Sequence, residues 1–334
     1  MTTTGFVKYA GALVALAICS ACSGAPAIAP STAALNAAYI GRTLSVNGRL
    51  ITAAHANLNA LPTYATILPD RPAKAKTYEY VISFYGTYAS IFDYPKSVKQ
   101  IGTIENVGGQ GCTNVLYGYG KKTFWIVAGT DQITEYQIPQ KPLKTLSVPY
   151  GEPSSCAMDT SGDLAVGNLS NGDIVIFKNA SGSGVIMTTP LAREYFDGYD
   201  NKGNLFFDGF TPGSAFELVE LPKGSSKFQT ITTSNRVSFP GSVQWDGKYL
   251  TVFDQDTAEI YQYTLSGAKA KLEGTVSLTG SSDCAQTWIA TGVVYCGDAG
   301  NGNGEVYKYP AGGSAIAVFT GQFDVPLGVV AAEK

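Results

Sequence analysis

Histidine is almost missing from this chain of 334 residues, which holds a single one, His55. A Ser-His-Asp hydrolase needs a histidine base and a His-ligated zinc site needs imidazole donors, so a body without histidine excludes both. Charge is also scarce. Only 15% of residues are charged, with 23 Lys and Arg against 26 Asp and Glu. Binding a phosphate backbone needs a concentrated basic surface. Here the basic residues are scattered, often at loop tips such as Lys121-Lys122 and Lys269, where they serve solubility. Nucleic acid is therefore not the expected partner. Long apolar runs are wanting too: Tyr9–Ile18 is too short to cross a bilayer as a helix and has the length of a secretory h-region. What is plentiful is glycine (38), tyrosine (20) and phenylalanine (15), a mixture suited to many short strands, tight turns and aromatic packing between sheets.

The N-terminus reads as an address. Lys8 gives a thin positive region ahead of the apolar run, and Cys19-Ser20-Ala21-Cys22-Ser23-Gly24 follows. This resembles the lipobox of lipoprotein precursors, in which small residues precede the cysteine that is acylated. Cys22, after Ser20 and Ala21, fits better than Cys19 after bulky Ile18, although Cys19 stands where the common pattern has Leu. Cleavage before Cys22 leaves Cys112, Cys156, Cys284 and Cys296, an even number able to pair in an oxidising compartment. By the same resemblance Ser23 directs the protein to the outer membrane, so the expected location is the bacterial cell envelope with the membrane reached through a lipid anchor. Residues 1–22 are thus expected to be a signal peptide and 23–76 a tether and lead-in rich in Ala, Pro and Ser. Asn47-Gly48 between β-prone flanks predicts a small hairpin over 43–52. His55 falls in the lead-in, as an incidental polar residue.

From residue 77 onward the chain repeats. Six segments end a strand in a similar corner, among them Ile91-Phe92-Asp93-Tyr94-Pro95, Glu135-Tyr136-Gln137-Ile138-Pro139 and Tyr307-Lys308-Tyr309-Pro310. The equivalent residues Tyr94, Ile138, Asn179, Leu221, Tyr263 and Tyr309 recur every 41 to 46 residues. A second signature lies upstream: Asp159-Thr160-Ser161-Gly162, Asp200-Asn201-Lys202-Gly203 and the shorter Asp246-Gly247. Asp bonds its own backbone there and Gly supplies positive φ, which makes tight hairpins. Each repeat therefore carries four strands, the mark of a β-propeller blade. Tyr78–Ser83 looks like a second strand lacking a first, and Pro326–Ala332 like a first strand lacking a second. The expected fold is all-β: a six-bladed propeller of four-stranded blades over 77–334, its ring closed by pairing of the N- and C-terminal strands.

This pattern resembles the six-bladed NHL and SMP-30/gluconolactonase-like propellers, in the form of a bacterial lipoprotein. Propeller ligands usually sit at the central channel, so the innermost strands supply the candidates. Asp197, Tyr199, Trp245, Gln286 and Trp288 are candidate ligand-binding residues, the aromatics forming a platform for a sugar or peptide. The gluconolactonase-like resemblance implies a divalent cation held by Glu, Asp and Asn side chains. Asn114, Asp197 and Asp283 are the candidate ligands, Ca²⁺ the fitting ion, and no Glu is expected on an innermost strand, Glu152 in a loop being nearest. Cys284 and Cys296 fall on adjacent strands and are expected to form a disulfide. Cys112 and Cys156 either form a second, joining neighbouring blades, or pack as buried thiols. No catalytic residue and no cofactor is assigned. The expected function is a monomeric, non-catalytic binding module for a protein, peptide or glycan, the alternative being a divalent-metal-dependent lactonase.

Overall fold

A computed structural model describes residues 44–46, 49–51, 77–83, 88–127, 131–149, 151–290, 292–323 and 325–333. The signal peptide, Cys22, the tether and His55 lie outside the described residues. Leu44–Val46 pairs antiparallel with Arg49–Ile51. None of the described helices is long and apolar enough to cross a membrane.

From Thr77 the strands pair in antiparallel ladders, numbered here by their first strands. Ladder I runs Pro326–Glu333, Thr77–Ser83, Tyr88–Phe92 and Gln100–Glu105. Ladder II runs Gly111–Thr113, Thr123–Val127, Gln132–Gln137 and Lys141–Ser147. Ladder III runs Pro153–Met158, Leu164–Asn168, Ile174–Phe177 and Val185–Met187. Ladder IV runs Arg193–Tyr199, Leu205–Phe210, Phe216–Leu221 and Gln229–Thr233. Ladder V runs Val243–Trp245, Leu250–Asp254, Glu259–Ser266 and Lys269–Thr279. Ladder VI runs Cys284–Ala290, Val293–Asp298, Asn303–Lys308 and Ala317–Phe319. Short parallel contacts stitch outer edges: Thr232–Thr233 to Lys269–Ala270, and Leu278–Thr279 to Gly313–Ser314. The last strand of the chain thus pairs with Thr77–Ser83, the seam that the two half-repeats called for.

The turns form for the reasons legible in the sequence. Asp159 Oδ1 accepts the N–H groups of Ser161 and Asp163 at 2.9 and 2.8 Å. Asp200 Oδ1 does the same for Lys202 and Asn204, and Asp246 Oδ1 for Lys248 and Tyr249. Gly162, Gly203 and Gly247 have φ of 95°, 83° and 96°, which an L side chain rarely adopts. The corner expected at Tyr263-Thr264 is displaced. The strand continues to Ser266 and turns at Gly267, φ 55°. No proline interrupts Tyr261–Thr264, so every N–H stays available and the ladder runs on until glycine permits a reversal.

The core lies between ladders. One cluster joins Phe92, Tyr94 and Val330 of ladder I with Phe124 of II and Tyr295 and Phe319 of VI, and Phe92 stacks on Phe319 at 4.5 Å between centroids. Others fill the gaps between II and III, III and IV, IV and V, and V and VI. Sheets that face one another in this way bury both faces of their strands, which explains second strands such as Leu164–Asn168 and Val293–Asp298, buried throughout. Among the described residues two disulfides are present: Cys284–Cys296 within ladder VI, and Cys112–Cys156 between ladders II and III with Cα atoms 5.7 Å apart. The second cysteine pair is therefore bonded rather than free.

Candidate functional site

The first strands of the ladders converge, and glutamine side chains tie them together. From ladder VI, Gln286 Oε1 accepts the N–H of Val329 in ladder I at 2.8 Å and of Gly111 in ladder II at 3.2 Å, while Nε2 donates to Gly111 O at 2.8 Å. From ladder V, Gln244 accepts from Ile289 N–H at 2.7 Å and donates to Ile289 O at 3.0 Å. Gln110, just before ladder II, donates to Tyr195 O of ladder IV at 2.9 Å. First strands in a ring leave inward N–H and C=O groups away from water, and long amides satisfy them.

Ladder II departs from the repeat at its first turn. Where ladders III, IV and V have the Asp-Gly hairpin, residues 114–119 form a strap reaching across to ladders V and VI. Leu116 O accepts from Gln244 Nε2 at 3.0 Å, and Gly118 O from Trp288 Nε1 at 2.7 Å. Tyr119 and Tyr295 hydroxyls lie 2.9 Å apart. Leu116 packs on the cluster of Tyr199 and Ala157, and Tyr117 on that of Phe253 and Tyr309. Gly118, at φ 113°, allows the crossing.

Beneath the strap is a small, partly open cavity of about 40 Å³. Ladders II to VI and the strap contribute its walls, among them Thr113, Leu116, Met158, Phe196, Val243 and the Cys112–Cys156 disulfide. All five candidate ligand-binding residues, Asp197, Tyr199, Trp245, Gln286 and Trp288, line it. They differ in freedom: the Gln286 amide and the Trp288 N–H are engaged with backbone, whereas Trp245 is half-buried on the wall. Of the candidate metal ligands only Asp197 lines the cavity. Asn114 is exposed at the foot of the strap, its Oδ1 accepting from Lys121 N–H. Asp283 is buried at the start of ladder VI, its own N–H held by Asp298 Oδ1. The three are not brought together, and no group of three His, Cys, Asp or Glu among the described residues is arranged to hold a metal ion.

The expectation that no glutamate stands on a first strand is overturned by Glu194. It lies on Arg193–Tyr199, fully buried, and Ser155 Oγ is 2.9 Å from each carboxylate oxygen. The reason is a β-bulge: Glu194 pairs with Gly209 but Phe196 with Asp208, leaving Tyr195 as the extra residue. A bulge resets the alternation, so Glu194 and Asp197, three apart, share the face toward ladder III. Gly167 opposite makes the space, since a Cβ there would come 1.8 Å from Glu194 Oε2. Burial pushes the Glu194, Asp197 and Asp208 carboxyls well above the usual carboxylate range, and their mutual repulsion raises Glu194 and Asp208 further. Ser155 Oγ engages Glu194, and both Asp197 oxygens, Asp208 Oδ1, the Asn168 amide and Ser154 Oγ are buried without a hydrogen-bond partner.

A further repeat element escapes the sequence reading. Asp208, Asp254 and Asp298 lie at or near the ends of the second strands of ladders IV, V and VI and accept backbone N–H groups from the segment entering a first strand: Gly241, Ser238 and Phe239, and Ser282 and Asp283. Their spacing, near that of the corners, is the signal that would have found them.

No family model matches the chain, and no curated protein does. Among solved structures, a chain of a nidogen/laminin complex is similar over 77% of this chain and 98% of its own, at 10% identity and a TM-score of 0.62. A protein of unknown function from Bacteroides caccae is similar over 78% of this chain and 100% of its own, at 13% identity and a TM-score of 0.59. At such identities the likeness is one of fold, and together with the strand order it establishes the chain as a β-propeller.

Proposed function

We propose that the chain is a lipid-anchored envelope protein whose six ladders are the blades of a propeller of the NHL or SMP-30 kind, and whose channel cavity binds a protein, peptide or glycan without catalysis. The observation that carries this is the cavity itself: aromatic side chains on a framework of first strands fixed by three glutamines, the arrangement of a preformed binding site. The anchor rests on Cys22 and its small neighbours, the blade count on the six corners and the seam. A chain of this fold in a nidogen/laminin complex offers an analogy of use, not of partner. In this reading the protein is a monomer, free of cofactor, held on the outer membrane, with no affinity for nucleic acid.

Peptide and glycan arrays probed with wild-type protein and with Trp245→Ala test the module: wall-dependent binders support it, and binding indifferent to the wall sinks it. Cys22→Ala should release the protein from membranes; continued membrane association would refute the anchor. One observation favours a second reading, a divalent-metal-dependent lactonase, because Glu194 stands on a first strand three residues from Asp197. Calcium-dependent lactone hydrolysis lost in Glu194→Gln would establish that reading against the first.

A further inference from the structure

The proposed binding reading leaves the chemistry of the ligand open, and the cavity narrows it. Its amide groups are spent: Gln110, Gln244 and Gln286 all hold backbone groups. Asp197 is the one carboxylate among the lining residues, which include no lysine or arginine. It is 7% exposed, and neither oxygen has a hydrogen-bond partner. Behind it stand Glu194 and Asp208, both fully buried, so the groups around this wall are acids with no basic side chain among the lining residues to pair with them. Beside it Phe196, Tyr199 and Trp245 face the same space. An unpartnered carboxyl next to aromatic rings matches a positively charged organic group, whose N–H groups find free acceptor oxygens, whose charge favours the ionised carboxylate, and which also meets the ring quadrupole. An inorganic divalent ion fits less well, since it asks for about six to eight oxygens, most of which this wall cannot supply.

We propose that the cavity takes an organic cation, the ammonium or guanidinium end of a lysine or arginine side chain in a protein or peptide ligand, seated between Asp197 and the Tyr199–Trp245 wall. Calorimetric titration of the full chain with n-butylammonium, n-butylguanidinium, n-butanol and calcium chloride tests it. The organic cations should bind at least about 10-fold more tightly than n-butanol, and Asp197→Asn should abolish that difference. Trp245→Ala, at a half-buried position, should weaken the cations several-fold and keeps the test open should Asp197→Asn fail to fold. Equal binding of n-butanol, a preference for the cations that persists in folded Asp197→Asn, cation binding undiminished in Trp245→Ala, saturable calcium binding at Asp197, or no binding would each overturn the proposal. The array experiment separates the two readings: Trp245-dependent binders without basic residues would keep the binding module and discard the cation.

Discussion

At the scale of single residues, the buried acids make stability depend on pH. Glu194, Asp197 and Asp208 bind protons more tightly in the fold than in the unfolded chain, because burial penalises their charged forms. Glu305, pushed up to about 7 by burial and by Asp298, acts in the same sense. Folded-state values above unfolded ones mean that the unfolded chain loses its protons first as pH rises. The stability these groups contribute is whole below about pH 4 and drains away as pH climbs through their folded values, Glu305 near 7 among them. Melting temperature should therefore fall between about pH 5 and pH 8. Glu194→Gln should flatten the slope, since every tenfold excess in proton affinity that the fold confers on this carboxyl is worth about 1.4 kcal/mol. A profile unchanged by Glu194→Gln would show that the site ionises freely. Asp159, Asp200 and Asp246 were readable because Asp-Gly turns are local chemistry. Glu194 was not, because its inward face depends on a bulge at Tyr195 and on the missing side chain of Gly167 in another ladder.

Among elements, the disulfides and the strap carry the most consequence. Cys284–Cys296 closes a separation of 12 residues and Cys112–Cys156 one of 44, so loop entropy assigns them about 3 and about 4 kcal/mol. Paired Cys→Ala variants should lower the melting temperature, with the Cys112–Cys156 removal the more costly; the reverse order would point to strain rather than chain entropy. Replacing residues 114–119 with a short Asp-Gly turn like that of ladder III should keep the ladders and open the cavity. Acrylamide quenching of tryptophan fluorescence would then rise, since Trp288 loses its bond to Gly118 and Trp245 its cover. Unchanged quenching would mean that the strap does not shield the cavity. The repeat was legible here only as an exception, ladder II lacking the hairpin that ladders III, IV and V have. Where the excursion goes is decided by partners far along the chain, Gln244 and Trp288, and no local pattern announces them.

On the scale of the molecule, the seam is the decisive joint. Thr77–Ser83 pairs on one side with Tyr88–Phe92 and on the other with Pro326–Glu333. Removing residues 326–334 should leave an open edge, expose residues of the cluster that Val330 belongs to, such as Phe124 and Tyr295, and turn a single sharp unfolding transition into a broad one accompanied by aggregation in gel filtration. A truncated chain that melts as sharply as the whole would show that the seam is dispensable. The two half-repeats made this joint legible, because an incomplete ladder at each end implies its complement.

The same joint sets an order of events in time. Thr77–Ser83 leaves the ribosome among the first described strands, yet its inner neighbour comes last, so one edge waits while the other ladders are made. Closure then acts as a clock on the cavity: the Val329 bond to Gln286 forms only after the final strand arrives. Until that strand is made, the Gln286 side chain that lines the cavity lacks its Val329 partner.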